Sequence, residues 1–217
     1  RGTNRINISR ISSVIRRFSE LKTASKVAEE LNSEDILILD GSLQSSVTNE
    51  GKYLEELFKK GLKRKGLISA LSKSCNLMTD KGNSLIAVLG IIAPGGICYY
   101  HPIAEATSEG HQAEMFFAKL HEKSRHIFRF EVYKKQEFGI NGVLSLIADN
   151  SNDPVFLGYP YGLIEADRFA RISNAELSYF KTIIMLKLGK STDKLNEYLN
   201  ARNAHDILDK ASYWVKM

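Results

Sequence analysis

The stretch Ile36-Leu-Ile-Leu-Asp40-Gly-Ser-Leu43 decides the fold. Four aliphatic residues lead straight into an aspartate and a glycine. A continuous apolar run of this length reads as a strand buried on both faces. Asp40 then stands at its C-terminal end, where open α/β sheets gather ligands and catalytic groups. Gly41 permits a sharp turn there. A carboxylate at such a place must be solvated, paired or bound to a cation. Asp40 therefore has two readings: a cap on its own turn, or a functional carboxylate.

Working outward, residues 10 to 31 have helical apolar spacing at Ile11, Val14, Ile15, Phe18 and Leu21. Residues 41 to 50 form a polar loop. Residues 50 to 63 form a second helix, with Tyr53, Leu54, Leu57 and Phe58 on one face. Its basic end, Lys59-Lys60 and Lys63-Arg64-Lys65, suits a helix C-terminus. Gly66–Ser72 reads as a second buried strand that delivers Lys73 to its end. A helix within Lys81–Ile92 precedes Pro94-Gly95-Gly96. Three extended stretches follow: Ile97–Tyr100, Glu114–Leu120 and His126–Tyr133. In the last, Arg129 and Glu131 share one face, which suggests a cross-strand ion pair. Gly142–Asp149 is helical, and helices run from about Gly162 to the C-terminus. Helices interleaved with buried strands give an α/β fold, a mixed sheet flanked by helices. No internal repeat or clear boundary divides the chain, so one domain over 1–217 is expected.

Composition sets the class. The chain has 217 residues, 43% hydrophobic and 25% charged, which is ordinary globular usage. No apolar run approaches the roughly 20 residues that span a bilayer; Leu85–Ile92 and Ile183–Leu188 are short enough for a core. No secretory signal is visible, and Cys75 and Cys98 read as buried cytosolic thiols, so a cytoplasmic protein is expected. The net charge of +5 tilts toward a polyanionic partner. The basic N-terminal residues Arg1, Arg5, Arg10, Arg16 and Arg17 could track phosphates or form a solvated face.

No GxGxxG, Walker A, HExxH or GxSxG segment is present. His101, His111, His121, His126 and His205 have no metal-ligand spacing. What remains is a set of carboxylates near element ends: Glu20, Asp40, Asp149, Asp153, Glu165 and Asp167. Hard oxygen donors suit Mg²⁺ or Mn²⁺, and such ions support phosphodiester cleavage. Asp167 and Arg171 also make an i,i+4 pair of the kind that stabilises exposed helices.

Four segments in order resemble one family: Leu39-Asp-Gly-Ser-Leu43, Leu67-Ile-Ser-Ala-Leu-Ser-Lys-Ser74, Phe128-Arg-Phe-Glu-Val132, and Asp153-Pro with Gly158-Tyr-Pro-Tyr161 and Ala166-Asp167. Together they look like the NurA nuclease family over about residues 15 to 210. The resemblance implies a ribonuclease H-like core related to Argonaute nuclease domains. It also implies Mn²⁺- or Mg²⁺-dependent DNA cleavage, a homodimer, and a HerA-type hexameric translocase as partner in end resection and repair. By the same resemblance Asp40, Glu20 and Asp167 hold metal, Lys73 sits near the scissile phosphate, and Tyr159 orders the site or contacts the strand. The family's earlier Asp-x-Ser aspartate has no match, since no Asp or Glu precedes Glu20. The expectation is an N-terminal truncation or a missing ligand, and the alternative function is an impaired DNA-binding or scaffolding module. Glu20 lies nine residues beyond Ile11, about 180° around the helix and roughly opposite that apolar face, which leaves a solvent-exposed role open beside the metal-holding one.

Overall fold

The computed structural model describes residues 11–102, 110–189, 193 and 197. Arg1, Arg5, Arg10 and His205 lie outside them, as does the expected helix beyond residue 189, save helical Asp193 and Glu197. The chain divides into two compact units, Arg1–Ala166 and Asp167–Met217.

The first unit is built on a five-stranded mixed sheet. The strands are β1 (Ile36–Asp40), β2 (Leu67–Ser72), β3 (Cys98–Tyr100), β4 (Ala113–Lys119) and β5 (Phe128–Tyr133). Their order is β1-β2-β5-β4-β3. β1 and β2 run parallel, joined through helix α2 (Glu50–Arg64), and the other neighbours are antiparallel. A parallel pair needs such a crossover because its strands start at the same end of the sheet.

Helices α1 (Ile11–Val27) and α2 cover one face. Leu21, Ala24, Leu54, Leu57 and Phe58 pack there on Leu39, Ile68, Ala70 and Tyr133. The Phe58 and Tyr133 rings stack at 3.9 Å. The other face carries α4 (Ile140–Asp149) and the first residues of α5 (Tyr161–Ala170). There Leu144, Ile147, Ala148 and Leu163 meet Leu71, Phe116, Phe128 and Phe130. Each Leu, Ile or Phe side chain fully buried there contributes about 1.5–3 kcal/mol. Helix α3 (Leu85–Ile92) adds a smaller cluster with Phe117 and Ile127.

Several expectations change. β2 is buried along its whole length, but β1 is not buried on both faces. Ile36, Leu37 and Ile38 are half-buried and only Leu39 is buried, because β1 is the sheet's edge and pairs only with β2. Helix α3 starts at Leu85, since the preceding residues form a turn closed by the Met78–Ser84 bridge. Cys75 and Cys98 are half-buried rather than buried.

In the second unit, α6 (Asn174–Leu188) opens with a capping box between Ser173 and Glu176. The apolar run Ile183–Leu188 lies on this helix, which buries no residue among those described. No helix among the described residues is long and apolar enough to cross a membrane.

Candidate active site at the end of the parallel strands

Asp40 and Lys73 are brought together by strand register. Asp40 pairs with Leu71 across the parallel ladder, and Lys73 follows two residues later. The Lys73 ammonium donates to Asp40 Oδ2 at 2.9 Å. Both side chains are about half-exposed (45% and 44%), so the pair holds position more than it stabilises the fold. The Lys73 Nζ also lies 5.2 Å from the centre of the Tyr159 ring. Burial pushes the Lys73 ammonium toward a lower pKa, but the bond to Asp40, the neighbouring Tyr159 hydroxyl and the Asp40 charge outweigh it. The net shift is upward.

Tyr159 is itself buried, at 2% exposure. It closes the turn after Asp153, and its ring stacks on Phe156 at 5.1 Å. Its hydroxyl is near both charges, yet satisfies hydrogen-bond geometry with no group among the described residues. Burial first, and the Asp40 charge second, push its pKa up to about 12.

The turn after Asp40 is fixed from several sides. Gly41 has φ +126°, a conformation that disfavours a side chain. Its N–H donates to the Leu71 carbonyl at 2.9 Å, and the Ser72 hydroxyl donates to its carbonyl. Arg17 Nη2 donates to the Ser42 carbonyl at 2.6 Å. From below, the fully buried Glu131 carboxylate accepts the Leu43 N–H at 2.8 Å and the Ser42 hydroxyl at 3.2 Å.

Glu131 is the residue the sequence undervalued. Arg129 Nε stands 2.9 Å from it along the same strand, rather than across strands as expected. His111 Nε2 stands 3.1 Å away. Both nitrogens lie off the hydrogen-bond axis, so Arg129 makes an ion pair without a well-formed hydrogen bond and the His111 ring packs beside the carboxylate. Burial pushes the Glu131 carboxyl up, but the His111 ring, Arg129 and the Leu43 N–H together outweigh it and hold it below the usual carboxylate range. Glu50 plays a similar part at the far end of the loop. Its buried carboxylate accepts from Arg17 at 2.8 Å and from the Ser46 and Val47 N–H groups.

Glu20 lies on the same cavity wall as Asp40. That cavity is about 330 Å³ and is also lined by Arg16, Arg17, Ser42, Gln44 and Glu50. Glu20 is half-buried rather than turned to solvent. Ile11 and Ile15, taken as the apolar face, are 41% and 59% exposed. The buried stripe of α1 is Leu21, Ala24 and Ser25, and Glu20 flanks it. Arg17 Nη1 holds Glu20 Oε2 at 3.2 Å. Asp167 belongs to the second compact unit, where it pairs with Arg171 at 2.7 Å.

Among the described residues, no three His, Cys, Asp or Glu side chains converge as a closed metal cage requires. Asp40 and Glu20 do share one cavity, and among the described residues only one oxygen of each is engaged, by Lys73 and Arg17. Mg²⁺ and its like are bound by one or two carboxylates, with water and substrate phosphates completing the shell. The donor set fits that kind of site.

The chain resembles a solved protein, the NurA nuclease from Sulfolobus solfataricus, with a TM-score of 0.56 and 17% sequence identity over 82% of this chain and 67% of that one. At this identity the likeness shows the fold alone. No curated protein sequence matches the chain. The family model described as the NurA domain matches residues 2–172, well over half of the sequence. The Asp40 turn, Lys73 and Tyr159 all fall inside that span, and the chain belongs to the NurA domain family.

Proposed function

We propose that this chain is a divalent-metal-dependent DNA nuclease that hydrolyses phosphodiester bonds. The carrying observation is the grouping of Asp40, Lys73 and Tyr159 at the C-terminal end of a parallel strand pair in a NurA-family chain. Asp40 and Glu20 would hold Mn²⁺ or Mg²⁺. When bound, such an ion supplies Lewis-acid polarisation of the phosphate and an acidified water.

The chain's own groups divide the remaining work. Lys73 keeps its proton at neutral pH because its pKa is raised. It is therefore an electrostatic partner for a phosphate oxygen and not a general base. Tyr159, with its pKa near 12, stays protonated and acts as a hydrogen-bond donor rather than a nucleophile. Glu131 and Arg17 keep the Asp40 turn in one geometry, so little reorganisation is needed when substrate arrives.

The mixed sheet, with β1 and β2 parallel and the rest antiparallel, supports reading the core as ribonuclease H-like. The family membership supports a homodimer working with a HerA-type hexameric ATPase in DNA end resection. One observation favours a second reading, a DNA-binding scaffold: the Asp40 and Glu20 carboxylates already face cations of this chain.

End-labelled DNA with Mn²⁺ separates the two, comparing this chain with Asp40→Ala. Cleavage that the variant loses while its melting temperature holds supports the nuclease. DNA binding without cleavage by either protein rejects it in favour of the scaffold.

A further inference from the structure

An aromatic ladder leads from the Asp40 and Lys73 pair to the surface. Tyr159 stacks on Phe156 at 5.1 Å and 18°, and Phe156 meets His126 edge-on at 5.2 Å and 88°. Phe128 backs all three rings. Exposure rises along the series: Tyr159 is buried, Phe156 half-buried and His126 exposed. A ladder serving only as core would end under apolar cover. This one ends in an imidazole at the surface, and Val155, next to Phe156 in the chain, is itself 81% exposed.

The two loops that carry the rings are fixed against each other. The Gly158 backbone, at φ +85°, sits so close to Ser124 that an added Cβ would come within 2.7 Å of it. Gly158 donates to the Ser151 carbonyl, and the Val155 N–H donates to Asp153 Oδ1, both at 2.8 Å. Across from this turn, the His126 N–H donates to the Ser124 hydroxyl at 3.1 Å. The His126 loop carries exposed Lys123 and Arg125, with Glu122 as its one carboxylate. Neither cation has an acidic partner among the described residues. Rigid aromatic faces beside unpaired cations are what a single nucleic-acid strand uses: rings take bases and cations follow phosphates. A paired base inside a duplex offers no free face.

Resting on the nuclease reading above, we propose that His126 and Phe156 form a stacking subsite for an unpaired nucleobase of the strand whose backbone passes Lys73. Lys123 and Arg125 flank that subsite and contact neighbouring phosphates. The subsite makes the chain favour frayed or single-stranded DNA over a closed duplex at this position.

The test uses a short single-stranded oligonucleotide carrying 2-aminopurine, with EDTA present so that binding is read without turnover. Stacking quenches the probe. The wild-type chain is expected to quench it, and a blunt duplex of the same sequence to show no added quenching. His126→Ala, at an exposed position, and Phe156→Leu, which keeps apolar volume, should lose the quenching. Each should weaken single-strand binding about fivefold or more, with duplex binding changed little. Quenching unchanged in His126→Ala, or wild-type binding without quenching, overturns the proposal even if Phe156→Leu does not fold. Mn²⁺-dependent cleavage by a wild type that never quenches the probe overturns the stacking subsite alone. A wild type that binds no DNA at low salt overturns it together with the nuclease reading.

Discussion

Replacing Glu131 with Leu tests the account of the Asp40 turn most directly. Glu131 is fully buried and faces four partners: the Leu43 N–H at 2.8 Å, the Ser42 hydroxyl at 3.2 Å, Arg129 at 2.9 Å and His111 at 3.1 Å. Leucine would leave the largely buried Arg129 charge without its counter-charge, and breaking a buried pair this way costs about 3–5 kcal/mol. The orphaned Leu43 N–H alone would cost about 1–3 kcal/mol. The two losses share one site and do not simply add, so the expected total stays near 3–5 kcal/mol. Glutamine keeps an acceptor for Leu43 but also leaves Arg129 without its counter-charge, so its loss should be smaller than that of Leu by about the 1–3 kcal/mol of the retained Leu43 hydrogen bond. At about 2–4 °C per kcal/mol for a unit of this size, Leu should lower the melting temperature by about 6–20 °C. Urea titration followed by circular dichroism gives the free energies. A loss below about 1 kcal/mol for Leu, with unchanged m-value, would refute the reasoning. The pH dependence has a definite sign. The folded carboxyl is held below its ordinary value of 4.5, so its stabilisation is present above about pH 4.5 and fades as pH falls through the lowered value. The Gln variant should lack that acid-side slope.

Other expectations are narrower. Gly158→Ala combines a left-handed backbone with a Cβ pressed on Ser124, and should cost about 2–4 kcal/mol in chemical denaturation; a neutral result would contradict the described turn. Tyr159→Phe removes a hydroxyl that has no partner among the described residues, so stability should hold within about 0.5 kcal/mol or rise. Because the Tyr159 pKa is raised to about 12, the wild type should lose stability between pH 10 and 12 relative to Tyr159→Phe, and absorbance near 295 nm should show a late-titrating tyrosine that the variant lacks. Asp167→Ala breaks an exposed i,i+4 pair with Arg171 and should change the melting free energy by no more than about 0.5 kcal/mol.

The placement of Asp40 and Lys73 at the ends of two strands was legible in the two apolar runs, while their sharing one site was implied only by the family resemblance. The edge position of β1 was not legible. An apolar run looks the same whether one neighbour or two will pair with it, and only the sheet order decides. The orientation of Glu20 stayed open because Ile11 and Ile15 mark apolar spacing without marking burial. The true stripe begins at Leu21. Glu131 read as half of a cross-strand ion pair, since its deepest partners, Leu43 and His111, are far from it in sequence and meet it only through the fold. Nothing in local periodicity encodes such a contact.

Arg17 touches three parts of the site at once: the Ser42 carbonyl, Glu50 and Glu20. It rides on α1, so the geometry around Asp40 depends on whether that helix is seated. Helices at the margin of a domain can open as separate cooperative units well below the global transition. Warming should therefore dismantle the constellation before the sheet melts. DNA cleavage would decline several degrees below the calorimetric midpoint, while amides of β2 and β5 remain protected from exchange.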